Sequence, residues 1–183
     1  YDVLSPQEDI VSERLETLYR MTSGTKGLDV VIASAVTAAQ RMAPVAYVGA
    51  NTFFFRPGDT LSVEGLRSNL AAAGYAGVKQ VLAAGEFAVR GSIIDVFPMG
   101  SDRPFRLDLF DDEIESIRWF DVETQRSMEA VNEIRLLPGH EFPVTPEAVT
   151  GFRQRWRTRF AGDPGKSLVY RDIGNGVLPP GIE

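Results

Sequence analysis

The residues most able to do chemistry in this chain are carboxylates crowded into one short stretch: Asp108, Asp111, Asp112, Glu113 and Glu115. Such a cluster could hold a divalent ion or a metal-nuclease centre, because hard cations take carboxylate oxygens. The flanking residues read as strands, however, and neighbouring strand positions point to opposite faces. The favoured reading is a hairpin tip with solvated charges. Gly165-Lys166-Ser167 matches the end of a phosphate-binding loop, but that loop needs a Gly where this chain has Phe160, so no cofactor is expected. His140 is the single histidine and sits between Pro138 and Pro143. No Ser or Asp spacing suggests a triad, and a linker histidine is the expectation; a catalytic role stays open because triads are recognised by geometry. Arg153, Arg155, Arg157 and Arg159 interleave with Trp156 and Phe160, and the alternative reading is a nucleic-acid-binding stripe. Residues two apart do not share a helix face, which favours a solvated helix over a core.

One constellation is harder to dismiss. The spacing predicts a hairpin centred near Ser101, with Arg106 opposite Val96 and Phe110 opposite Ser92. Odd positions then form a core face: Ile93, Phe97, Phe105, Leu107 and Leu109, with Asp95 as the exception. Even positions form the other: Arg90, Ser92, Ile94, Val96, Arg106, Asp108 and Phe110. The third strand agrees, with Ile117 and Trp119 on the core side and Arg118 opposite. A solvated sheet face normally carries polar residues. An apolar patch bearing Arg and Phe has the composition of a protein-docking surface. Arg pairs carboxylates through two points, and an exposed ring offers desolvated area at small entropy cost. Cover by another part of the same protein is an equal reading, because a slip of one residue would reverse the faces. The Arg90-Gly91 step could also be a bulge.

Composition narrows the classes further. The 183 residues are 44% hydrophobic and 24% charged, which fits a globular chain of one ordinary domain or two small ones. There is no Cys and only one His, so disulfide frameworks and thiolate chemistry are excluded and zinc sites nearly so. The formal charge of −6 argues against non-specific binding to polyanions. No apolar run is long enough to span a bilayer and no signal peptide opens the chain, so the expected setting is the cytoplasm, with no membrane partner.

The elements that must position these side chains are read from periodicity and stop signals. Ser5, Pro6 and Glu8 make a capping box for a helix whose buried stripe is Val11, Leu15 and Leu18. Leu28 to Ala33 is apolar on both faces, as a strand buried in a parallel sheet would be. A helix is expected from Ser34 to Met42, stopped by Pro44. Beyond it the pattern changes. Thr52–Arg56 reads as a strand and Ser62 caps a helix carrying Val63, Leu66, Leu70 and Ala73, with Gly74 as its stop. Three strands follow, at about 86–97, 105–110 and 114–120. Leu136 to Pro143 reads as a linker, and Thr145-Pro146 opens a last helix with Val149, Phe152, Trp156 and Phe160 on its apolar face. The expected fold is an α/β fragment into which an α+β unit built on an antiparallel β-meander is inserted. Both termini read as cut.

At Gly85–Pro98 (GEFAVRGSIIDVFP) and Phe105–Ile114 (FRLDLFDDEI) the chain resembles the bacterial transcription-repair coupling factors, specifically their UvrB-homology module. Ser5–Ile10, Arg14-Leu15, Phe120–Val122, Thr124–Arg126, Leu136–Pro138, Glu141–Pro143 and Gly181–Glu183 agree as well. The equivalent stretch of UvrB is a more distant match, and Phe87 stands where relatives often carry Tyr. The resemblance implies a degenerate UvrB-like, helicase-like layer. It implies three parts: residues 1–48 as the end of a first subdomain, 49–138 as an inserted UvrA-interaction subdomain and 139–183 as the start of the return subdomain. It implies a non-catalytic module that recruits UvrA, within a parent that is an ATP-driven translocase reaching RNA polymerase and DNA through other domains. It also implies that a C-terminal domain of the parent masks the docking face at rest. The positions matching the family's UvrA contacts are Arg90, Arg106 and Phe110.

Overall fold

The computed structural model describes residues 8–24, 30–179 and 182. They cluster into two compact units, residues 8–142 and, after them, the residues from Pro143 onward. The expected capping box at Ser5, Pro6 and the Glu8 side chain lies outside the described residues, as do Leu28 and Asp29.

The first unit opens with helix α1 (Glu8–Thr22), which buries Val11, Leu15 and Leu18 as its spacing requires. The strand expected over Leu28 to Ala33 does not form in its described part, Val30 to Ala33. Val30 to Ser34 carries no regular structure, and Ile32 is 93% exposed. No neighbouring strand pairs with it among the described residues, and an apolar segment gains burial only against a partner. The helix expected over 34–42 is five residues long, α2 (Ala35–Ala39), capped by the Ser34 hydroxyl, and is followed by α3 (Val45–Ala50).

Two sheets then build the unit. Strand β1 (Phe53–Phe55) pairs with β8 (Ile134–Leu136). The larger sheet has six strands in sequential order: β2 (Ala76–Gly77), β3 (Glu86–Arg90), β4 (Ile93–Val96), β5 (Phe105–Phe110), β6 (Glu113–Phe120) and β7 (Ser127–Ala130). All neighbours are antiparallel except β2 and β3. The meander is as expected; β2, β7 and β8 are additional. Helix α4 (Val63–Ala72), capped by Ser62, joins one face of the sheet. Leu66 and Leu70 from α4, Leu15 from α1, Ile94, Leu107, Ile114 and Ile117 from the sheet, and Leu136 from β8 form one core.

The run expected as one strand over 86–97 is two strands. Gly91, at a φ of 62°, and Ser92 turn the chain between Arg90 and Ile93. Glycine at the first position of a two-residue loop is a hairpin signal, and the bulge reading of this step is replaced by a reversal. The β4–β5 register is also one residue off the expectation: Arg106 lies opposite Asp95, and Val96 opposite Phe105. The residues that alternate into the core from β4 are therefore Ile94 and Val96, while Ile93 and Asp95 point to the other face.

Leu136 to Gly139 is packed, contrary to the linker reading of Leu136 to Pro143, although the two compact units divide at the end of that segment, between Phe142 and Pro143. Leu137, Pro138 and Gly139 are buried. The Tyr75 hydroxyl donates to the Leu137 carbonyl at 2.6 Å and accepts from the Met99 amide at 3.0 Å. Gly139 donates its amide to the Ala73 carbonyl. A Cβ on Gly139 would stand 2.6 Å from the Gly74 carbonyl oxygen, so only hydrogen fits between these backbones. Pro and Gly serve here as close-approach residues, which composition cannot distinguish from a flexible joint.

In the second unit, α5 (Pro146–Arg159) starts at the Thr145 cap as expected. It is followed by a short 3-10 helix (Pro164–Lys166) and α6 (Leu168–Gly174). Phe152, Trp156 and Tyr170 form an aromatic cluster, with Phe160 against Trp156 at 4.6 Å between ring centroids. These helices bury Tyr170 and Ile173 of α6, whereas α5 itself has no fully buried residue.

Candidate functional site

The six-stranded sheet has two unlike faces. One meets the core just described. The other is covered at one end, where Val81, Ala88 and Phe120 form a small second cluster with Val78 and Phe97. Toward the β3–β4 and β5–β6 turns this second face is open; Arg90 and Phe110 stand there, while Arg106 lies on the same face at the border of the covered end, against the Phe120 ring.

Arg90, at the end of β3, lies opposite Ile93, and Arg106 lies opposite Asp95, so both arginines share the face of Ile93 and Asp95. Phe110 shares it by alternation along β5. The unrecognised hairpin and the one-residue slip cancel for Arg90, which is why its placement survives two local errors. They do not cancel for Ile94, Val96 and Asp95. The apolar part expected on this face from Ile94 and Val96 is accordingly absent; Ile93 stands there instead.

Asp95 organises the site. It is 1% exposed and carries both arginines. Arg106 grips it at two points, Nε to Oδ1 at 2.7 Å and Nη2 to Oδ2 at 3.0 Å, while Arg90 Nη2 reaches Oδ2 from the neighbouring strand. The two-point geometry is what guanidinium and carboxylate planes favour. A carboxylate buried this deeply is stable only when paired. The lone Asp in an otherwise apolar strand was the available signal, and it asked for a cation opposite.

The two arginines differ in what they have left to offer. The Arg106 side chain is 13% exposed, its Cζ lies 5.0 Å from the Phe120 ring centroid, and its Nη1 donates to the Gln125 carbonyl and to Ser127 Oγ, each at 3.2 Å. The bond to Asp95 raises its pKa against the opposing effect of burial. The Arg90 side chain is 47% exposed and its one described bond is to Asp95. Phe110 is 71% exposed, a large ring set in solvent at the mouth of the β5–β6 turn.

The carboxylate-rich stretch is that turn. Asp111, at a φ of 53°, and Asp112 make its tip, and Asp108 accepts a hydrogen bond from Ser116 on the next strand. Among the described residues no three metal-ligating side chains gather. Gly165-Lys166-Ser167 belongs to the 3-10 helix and to the cap of α6. His140 stacks on Phe142. Of the α5 arginines, Arg153 and Arg157 lie over the Tyr170 ring, and Arg153 Nε donates to its hydroxyl. Among the described residues no helix is long and apolar enough to cross a membrane.

Residues 53–142 match the family described as the UvrB interaction domain. All six strands of the larger sheet, and the open face with them, lie inside that match. Over its whole length the chain is 44% identical to the transcription-repair-coupling factor of Escherichia coli K12 and 45% identical to that of Haemophilus influenzae. The chain is related to the transcription-repair-coupling factors. The same protein of Staphylococcus aureus USA300 is 34% identical over 87% of the chain. The chain spans 16% of the length of the first two relatives and 13% of the third.

Proposed function

We propose that this chain is a non-catalytic interaction module that recruits UvrA in transcription-coupled nucleotide excision repair, with Arg90, Arg106 and Phe110 at the contact. The observation that carries the reading is the exposure of Arg90 and Phe110 on one open sheet face, beside a buried carboxylate that fixes the arginine. In this reading Phe110 packs into an apolar pocket of the partner. Arg90 turns its remaining donors to an acidic group there, and Arg106 lends charge from below while holding Asp95. Binding energy at such surfaces concentrates in a few aromatic and Arg anchors.

The relatedness to transcription-repair-coupling factors supports the assignment of the partner. The proposal divides the chain at residues 48 and 138, with the UvrA-interaction part between them and UvrB-like subdomains on either side. It leaves ATP, DNA and RNA polymerase to other parts of the parent protein, and it places an intramolecular cover over the face in the resting parent.

The test is retention of purified UvrA by the immobilised chain. Arg90→Glu or Arg106→Glu should abolish retention, since losing a close interfacial charge pair costs about 2–5 kcal/mol. Arg90→Glu carries the cleaner result, because Arg106 is also tied into the fold. Unchanged retention by both variants rejects the assignment.

A further inference from the structure

Arg118 is the third guanidinium on the open face. It stands on β6 directly opposite Arg106 and is exposed. Like charges directly opposite on neighbouring strands destabilise a sheet. Arg106 answers that repulsion through Asp95; the Arg118 side chain does not, having no hydrogen bond or ion pair with any described residue. Carboxylates are within the same neighbourhood. Asp108 and Glu115 line one shallow depression of about 600 Å³ together with Arg118, Ser92, Ser116 and Ser127. The Asp108 carboxylate is bonded to Ser116 instead. A cation that leaves nearby acids unused, on a face carrying Arg90 and Phe110, has its charge available to a partner.

We infer that the docking surface extends across β5 to Arg118, whose exposed guanidinium receives a carboxylate of the same UvrA molecule that meets Arg90 and Phe110. This rests on the proposed function and adds a contact to it. Two features favour an acidic protein group over a nucleic-acid phosphate. The depression is bordered by Asp108 and Glu115, which would repel a continuous phosphate backbone, and the chain as a whole is acidic, at −6. A single carboxylate on a folded partner meets the cation without running past those acids.

The experiment is calorimetric titration of the full 183-residue chain with purified UvrA, using Arg118→Glu, Arg118→Gln and Arg90→Glu, with duplex DNA as a second titrant. Arg118→Glu should weaken UvrA binding at least about tenfold. Arg118→Gln should weaken it less and should flatten the loss of affinity with added salt, because one screened charge pair is gone. Gln also removes the repulsion with Arg106, so this variant keeps the fold if Glu does not. If Arg90→Glu loses binding while both Arg118 variants bind with wild-type affinity and salt response, the inference fails and the proposed function stands. If all three bind as wild type, or the wild-type chain does not bind UvrA, both fail. Loss in the Arg118 variants with Arg90→Glu unaffected overturns the shared surface. An Arg118 effect confined to the DNA titration overturns the protein assignment.

Discussion

Asp95 and Arg106 face each other across β4 and β5 and are joined at two points, at 2.7 and 3.0 Å. Their bond is simultaneously part of the fold and part of the candidate docking site. It ties two central strands on the face opposite the main core, and it leaves Arg90 held from one side only.

That arrangement predicts unequal costs for removing the members of the cluster. Asp95→Ala strands a largely buried guanidinium, and breaking a buried pair by deleting one partner costs about 3–5 kcal/mol. Arg90→Ala leaves Asp95 paired to Arg106 and should cost less than about 1 kcal/mol. Urea midpoints of the two variants measure the difference. Equal midpoints would show that Arg106 does not hold Asp95 by itself.

Phe110 predicts a separation of stability from binding. Its ring is exposed, so Phe110→Ala should move the unfolding free energy by no more than about 0.5 kcal/mol. The same substitution should lose most UvrA retention, as truncating an aromatic anchor does. A large drop in thermal midpoint with retention intact would reverse the roles assigned to this ring.

At the crossing of Gly139 and Gly74 there is no room for a side chain. Gly139→Ala drives a methyl group into the Gly74 carbonyl and should destabilise by about 1–3 kcal/mol. Gly91→Ala meets nothing within 4 Å, but its φ of 62° should still cost about 1–2 kcal/mol. The former should respond only weakly to truncation of the adjacent His140, whose ring packs on Gly74, because the clash at Gly139 is with backbone. Thermal unfolding of Gly139→Ala with and without His140→Ala tests this.

The turn after β6 carries a pH-dependent contribution. Asp121 accepts from the Thr124 hydroxyl at 2.7 Å and from its amide at 2.8 Å, and the hydroxyl bond is the main reason its pKa is lowered. A depressed carboxylate stabilises the folded state above its unfolded pKa of about 3.9 and loses that contribution as pH falls through the lower folded value. Thr124→Ala should raise the Asp121 pKa toward the ordinary value and start acid unfolding at higher pH. Carboxyl-carbon NMR titration of both proteins reads the shift directly.

The parts of the fold legible in the sequence were those with local punctuation. Ser62 and Thr145 cap their helices, and Gly74 stops the first of these, where the chain takes a φ of 94°. The meander was legible from alternation in Phe105–Phe110. Register was not, because the long connection from Phe97 to Pro104 offers no two-residue turn to count from. The Gly91-Ser92 reversal had such a turn, but the apolar residues on both sides disguised it as one strand. Arg90, Arg106 and Phe110 were located through the family resemblance and an alternation argument whose errors offset each other. Asp95 was seen only as an anomaly, since a buried charge is intelligible once its counter-ions are placed. The aliphatic run at Val30 to Ala33 was misread for the opposite reason: hydrophobicity marks a need for cover, and the cover has to come from other residues.

The shared carboxylate has a consequence for how this surface can drift over generations. A lineage released from the need to hold a partner could exchange Arg90 and Phe110 with little harm to its own folding. Asp95 and Arg106 would have to change together or persist. Descendants that have shed the interaction should therefore still display the inner half of the cluster, as an inherited relic beneath an altered exterior.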